Sequence, residues 1–588
     1  MAATHATTPK HLHAAALTPA SVLLAWRAVH GAVLYVVYRD GKRLASTKAT
    51  RCNDKKVRPG QKHRYAVRAR GKHGWLGPRS KSILVTIPHR KPSGGGTTPG
   101  GGDPGPGPGG STGSPELPPV DNGPPPDTGG SSPTLTQAMV DRLFWRAGFG
   151  PSPQDRTDWT GKTVGELVDH FLDTPQTLAA QTHAPKTQGG GAIDPLANDD
   201  ELVMEWLDRM QRAQNPFTER LTFFWHRHWA VNRQEGIPAA WLMSYRDLLH
   251  GYGDLAANPD ATFKALAMDM TTNDGAMSYF LTMCYNQAGA VNENYAREFM
   301  ELFTLGVTDA DGNANYSQTD VQELARAFTG WRLDQTPASP TFGKVSFGGG
   351  SYFDSNPKTL FGQTQNFTAA QAVDLILARP AHGPFLVRKL WGEFISQPIP
   401  QATLDTLVAT YVTSGFKLRP LLKGILNDPL MFSSIDEPDM LKPPLVLTVG
   451  ILRAYDVGMR WFWIPDVMSE MQQRPYDPPN VAGWEGGLSW LNTNTAQARF
   501  ELVLRALYLK HKGYSGAVTP PSDVPGESAS DAYDRAYAAV GAPWLSSATA
   551  TQIKSLAAAM PANTVAARAQ RQYALRAYFL AGPDYPVR

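Results

Sequence analysis

The fold is decided by NENYAREFMELFTLG, residues 292–306. Phe299, Leu302, Phe303 and Leu305 recur at helical spacing, so they can bury one side of a helix predicted over 294–305. Glu298 and Glu301 lie three apart and project from one face. Arg297 stands four residues before Glu301, within reach of its carboxylate, and Gly306 is placed as a C-cap. Carboxylates beside an apolar stripe are either salt-bridged structure or a site.

Outward from this stretch the same periodicity dominates. It recurs in Leu135–Ala147, Asp200–Ala213, Phe217–Val231, Ser317–Thr329, Gly383–Ile395, Pro443–Ala454 and Thr495–Lys510. The reading is mainly α: one large multi-helix domain over 134–588, interrupted by an irregular insertion at 344–365. Ahead of it, Ser21–Trp26, Leu34–Arg39 and His63–Arg70 are rich in β-branched and aromatic residues, with turns at Asp40-Gly41 and Pro59-Gly60. These predict a small β-sandwich over 16–90 behind a flexible tail, 1–15. Arg64, Arg68, Arg70 and Lys72 are read as its solvated face. Residues 91–133 turn abruptly to Gly, Pro, Ser and Thr, a composition that cannot bury a core and makes a linker.

The chain has 588 residues, and its charge of +4 gives no case for nucleic acid. Cys52 and Cys284 are too few for a disulfide framework or a cysteine-built zinc site. No apolar run is long enough to span a bilayer. The first twenty residues lack the continuous apolar core of a signal peptide. With the linker, this favours an exported mature form behind a start methionine, secreted or at the cell surface.

Polar residues gather among aromatics in several places. In FFWHRHW (223–229), His226 and His228 are about 200° apart on a helix, so they cannot share one metal. Glu293, Glu298 and Glu301 can hold a divalent metal or divide acid and base roles, and they can equally neutralise Arg297 and Arg326. No motif names a metal. Ser317 and Asp320 form a capping-box pattern. YDPPNVAGWEGGLSW (476–490) is an aromatic loop in which Asn480, Trp484 and Trp490 either wall a pocket or pin the loop. No GxSxG, P-loop, Rossmann, HExxH or Ca²⁺-loop spacing occurs.

Two resemblances stand on these residues. Trp26, YVVYRDG (35–41) and Tyr65 in the tyrosine-corner position resemble a fibronectin type III domain. LFWRAGFGP (143–151), FWHRHW (224–229), NENYAREFMELFTLGV (292–307), YSQTDVQELARAFTGW (316–331), KTLFG (358–362), VRKLW (387–391), KPPLVLTVGILRA (442–454) and PPNVAGWEGGLSWL (478–491) occur in the order of the bacterial domain of unknown function 1800 family. This second resemblance covers nearly all of 134–588. It implies a bacterial, exported protein. It also implies a partner encoded alongside, from a group related to alkaline phosphatases and sulfatases. No activity or catalytic set comes with the resemblance. The family often has His-Asp where this chain has Phe353-Asp354.

Two functions follow. One is a surface protein that binds a partner protein or a polysaccharide through the helical body and the tethered sandwich. The other is a hydrolase of an extracellular polymer. Its catalytic candidates are Glu298, Glu301, His228 and Asp320, and its substrate contacts are Trp484, Asn480, Trp490 and Arg297.

Overall fold

The computed structural model describes residues 9, 12–18, 21–26, 29, 32–39, 42–54, 56–58, 61–71, 76–80, 82–87, 132–181, 184–187, 189–455, 459, 463–512 and 526–587. The chain divides into two compact units, Met1–Pro125 and Pro126–Arg588.

In the first unit, His13–Thr18, Ser21–Ala25 and Arg51–Asp54 form one antiparallel sheet. Lys42–Thr47, Ala32–Arg39, Lys62–Gly71 and Leu76–Arg79 form another, with Ile83–Thr86 also paired to Lys62–Gly71. Alternation sends Val22 and Leu24 from one sheet, and Tyr35, Val37, Tyr65 and Val67 from the other, into a shared core with Trp26. Pairing starts at His13, inside the segment expected to be a tail. Arg39 pairs with Lys42, which leaves two residues to close that hairpin. The Tyr65 hydroxyl donates to Asp54 Oδ2 at 2.8 Å, and Arg39 Nη1 reaches the same oxygen at 2.8 Å. The turns at Asp40-Gly41 and Pro59-Gly60, and the linker over 91–131, lie outside the described residues.

The second unit is helical from Gln137–Ala147 to Val565–Ala581 around one continuous core. Its axis is the Pro216–His228 helix, in which every residue except Arg227 is buried. Asn215 caps its start by accepting from the Phe217 N–H, and Pro216 supplies a preset first turn. Some of its buried polar groups are hydrogen-bonded: Trp206 Nε1 donates to Glu219 Oε2 at 3.0 Å, and Thr222 Oγ1 donates to the Thr218 carbonyl at 2.7 Å.

One expectation is corrected. The 294–305 helix is α only over Asn294–Glu298 and becomes a π-helix over Phe299–Thr304. Thr304 Oγ1 closes the wider turn on the Phe299 carbonyl at 2.6 Å. The 344–365 insertion is irregular, as expected. Val345–Phe347 pairs back to Trp331–Leu333, and only Lys358–Leu360 with Gln363–Gln365 makes a hairpin within it.

Candidate functional site: a groove along the His382–Phe394 helix

The π turn ends in carbonyls that an α-helix end would leave unpaired, and distant side chains take them. Lys389 Nζ donates to the Leu302 carbonyl at 2.8 Å, and His228 Nε2 to that of Phe303 at 3.0 Å. His382 Nδ1 donates to the Thr304 carbonyl at 3.0 Å, and Asn315 Nδ2 to those of Leu305 and Gly306, both at 3.0 Å. These bonds set the tautomers. His228 Nδ1 is left to accept from Lys389 Nζ at 3.3 Å, and His382 Nε2 accepts from the Tyr411 hydroxyl at 2.9 Å. Burial holds both imidazoles well below the usual histidine range, His382 at about 4. Desolvation of the Lys389 ammonium, then the Arg227 guanidinium, pushes it down to about 7, although the residue as a whole is open to solvent.

His226 faces the other way. Its Nε2 accepts from the Tyr476 N–H at 2.9 Å, and its Nδ1 donates to the Tyr245 hydroxyl at 2.8 Å. Tyr245 in turn donates to the Trp229 carbonyl at 2.6 Å. The bond to Tyr476 anchors the 476–490 loop at a residue with φ of +61°, a strained value for an aromatic side chain. Asn232 Nδ2 donates to the Pro478 carbonyl at 2.6 Å, and Arg227 Nε to that of Trp484 at 3.2 Å. Trp484 stacks on Phe223 with centroids 5.6 Å apart. Trp484 therefore pins the loop, while Trp490 lines a cavity and Asn480 shapes the turn, its side chain accepting from the Ala482 N–H and its carbonyl from the Gly483 N–H.

Gly483 makes this docking close. It has φ of +82°, and a Cβ there would stand 2.4 Å from the Arg227 carbonyl. Gly483→Ala is expected to cost about 1–2 kcal/mol from backbone strain, with the clash added. The loop then lifts, which intrinsic tryptophan fluorescence reports as a red shift. An unchanged spectrum and melting temperature would refute this account.

Two cavities adjoin along the His382–Phe394 helix and share Arg388. One, of about 960 Å³, is lined by the 305–315 turn, Arg379, Phe385, Arg388 and Lys389. The other, of about 670 Å³, is lined by Arg227, Arg388, Glu393, Asp439, Leu488 and Trp490. Beneath the second, Glu393 pairs with Arg220 and, at 2.9 Å, with Arg227. Asp439 pairs with Arg146 and, at 3.1 Å, with Arg142, and it accepts from Ser396 Oγ. A smaller cavity of about 330 Å³ near Trp145 and Arg453 lies elsewhere. Arg453 is committed there to the carbonyls of Met210, Gln211 and Ala213.

The hydrolase constellation is not assembled around His228. Both of its ring nitrogens are engaged, and the charged groups acting on it are Lys389, His382 and Arg227, not Glu298 or Glu301. Glu298 and Glu301 are half-buried and affect each other. Desolvation, then Glu301, raises the Glu298 pKa, and Glu301 accepts from the Tyr316 hydroxyl at 3.3 Å. Neither lines the cavities described here. Arg297 pairs with Glu293 at 3.1 Å. Asp320 completes the capping box with Ser317 and also accepts from the Phe361 N–H at 2.8 Å. Asp354 pairs with Arg326 at 2.7 Å. Among the described residues, no group of three His, Cys, Asp or Glu is placed to hold a metal ion. Lys389, His382, Glu393 and Asp439 escaped the sequence reading. The adjacent Arg388 and Lys389 between the apolar pairs Leu386-Val387 and Leu390-Trp391 were the available signal.

The second unit is thus a many-helix body with an open groove rich in cationic side chains. The chain belongs to the family described as Protein of unknown function (DUF1800), whose model matches residues 142–587. No curated protein sequence matches it. Among solved structures, a Yersinia enterocolitica Family 28 exopolygalacturonase is similar at 18% identity and TM-score 0.14, over 14% of this chain and 21% of that one. The FN5 domain of Drosophila Lar is similar at 20% identity and TM-score 0.13, over 15% of this chain and 100% of that one. The chain covers about a fifth of the exopolygalacturonase. Among the described residues, no helix is long and apolar enough to cross a membrane.

Proposed function

We propose that the protein is an exported binding protein whose helical body holds an extracellular polysaccharide in the groove along His382–Phe394. The N-terminal β unit would serve as a tethered fibronectin type III-like second module. The observation that carries this reading is the pair of adjoining open cavities of about 960 and 670 Å³, joined at Arg388. Their length suits an extended ligand. Leu488, 79% exposed, supplies apolar surface at one end. Hydrolysis draws less support, because its carboxylate candidates stand outside both cavities.

Gly392 gives the test. It lines the second cavity, and a Cβ built there meets nothing within 4 Å. Gly392→Phe is expected to fill the groove, abolish retention of the full chain on immobilised polysaccharides, and leave the melting temperature within a few degrees of the parent. Retention unchanged by this variant would remove the groove from the function.

A further inference from the structure

We infer that the groove selects an acidic polysaccharide, whose carboxylate or phosphate groups seat at Arg388. The inference deepens the groove-binding reading and rests on it. It stands on a charge imbalance built into the fold. Under the second cavity, four guanidinium groups, those of Arg142, Arg146, Arg220 and Arg227, share two carboxylates, Glu393 and Asp439. Three of the four are buried to 5% exposure or less. Backbone carbonyls of Ser434, Glu437, Phe394 and Trp484 satisfy some of their donors, but a carbonyl carries no net charge. Buried cations in excess of anions are costly because low-dielectric surroundings screen them weakly.

The two cations at the surface above them add to the imbalance. Arg388 is exposed where the cavities meet, and it makes no hydrogen bond or ion pair with any described residue. Lys389 lies beside it, but its ammonium is turned onto the Leu302 carbonyl and His228 and is desolvated there, so Arg388 is the cation left for a ligand. The first cavity also carries two carboxylates, Asp309 and Asp311, against Arg379, Arg388 and Lys389; Asp309 accepts from the N–H groups of Asp311 and Asn313 within its own turn, which leaves Arg388 as the cation nearest the second cavity. An anion at Arg388 would therefore find a planar, unspent guanidinium backed by a positive interior.

The test titrates the full chain with three probes by calorimetry: alginate oligomers for carboxylate, a glycerol-phosphate wall polymer for phosphate, and cellohexaose as the uncharged control. Expected is binding of at least one acidic probe and not of cellohexaose. Arg388→Gln should weaken it by about ten- to a hundredfold, and salt at about 0.5 M should suppress it. Because Arg388 has no hydrogen-bond or ion-pair partner among the described residues, Arg388→Gln should fold as the parent does. The stronger acidic probe tells carboxylate from phosphate. If cellohexaose binds as tightly as the acids, with no dependence on salt or Arg388 but with loss in Gly392→Phe, the charge inference is overturned and the groove reading stands. If acids bind independently of both variants, or if nothing binds, both fall.

Discussion

Glu393→Ala destabilises the helical body by about 3–5 kcal/mol, the usual result of removing one side of a buried ion pair. The carboxylate lies between Arg220, whose side chain is 2% exposed, and Arg227. Removing it leaves Arg220 desolvated without an anion, in a region already rich in guanidinium groups. Arg227 would also lose the contact that holds its Nε against the Trp484 carbonyl. The check is the urea midpoint followed by far-UV circular dichroism. The double variant Glu393→Leu with Arg220→Met should recover much of the loss, since an apolar pair of similar volume avoids the desolvation cost. A midpoint that does not move in the single variant would show that the pair is not buried as described.

Stability should also fall steeply as pH drops from about 6.5 toward 4. His226 is held near 3, His382 near 4 and His228 well below 6.5, each chiefly by burial. A histidine with a depressed folded pKa stays neutral in the native state while the unfolded chain takes up a proton. The unfolded state therefore gains free energy below pH 6.5, and the histidine contribution is flat above it. Asp274 opposes this, because burial raises its carboxyl to about 7 and the native state takes up that proton first. His170 is lowered as well, while the raised carboxyls of Asp141, Glu205, Glu298 and Asp428 side with Asp274; the buried imidazoles outweigh these in the upper part of the window, so stability falls as pH drops below about 6.5. Midpoints measured at pH 7, 6 and 5 test the slope, and His382→Gln should flatten it by about one group's share. Equal midpoints at pH 7 and 5 would mean that the imidazoles are not sequestered.

The helical class of the second unit was legible because apolar residues three and four apart need only local information. Asp320 was equally legible, because a capping box lies within four residues. The π turn was not, since Phe299, Leu302 and Phe303 satisfy either helix. The donors that take its carbonyls come from far away: Lys389 reaches that of Leu302 across 87 positions of sequence. The cation-rich floor was hidden for the same reason. Arg142, Arg146 and Arg220 read individually as ordinary charges on amphipathic helices, and only the fold brings them over Glu393 and Asp439. Trp484 and Trp490 were recognised as important without their division of labour, because pinning and lining differ only in which neighbour each ring meets.

The π turn also has a consequence for insertions and deletions. A π turn is a helix carrying one surplus residue. Deleting any one of Phe299–Thr304 would let the segment relax to α geometry, while every carbonyl beyond the cut swings by about 100° around the axis. Lys389, His228 and His382 would then all face the wrong atoms together. Substitutions on the exposed side disturb one contact each, whereas a single-residue change in length breaks three. The segment works as a gauge, its residue count fixed by three side chains that are remote in the chain.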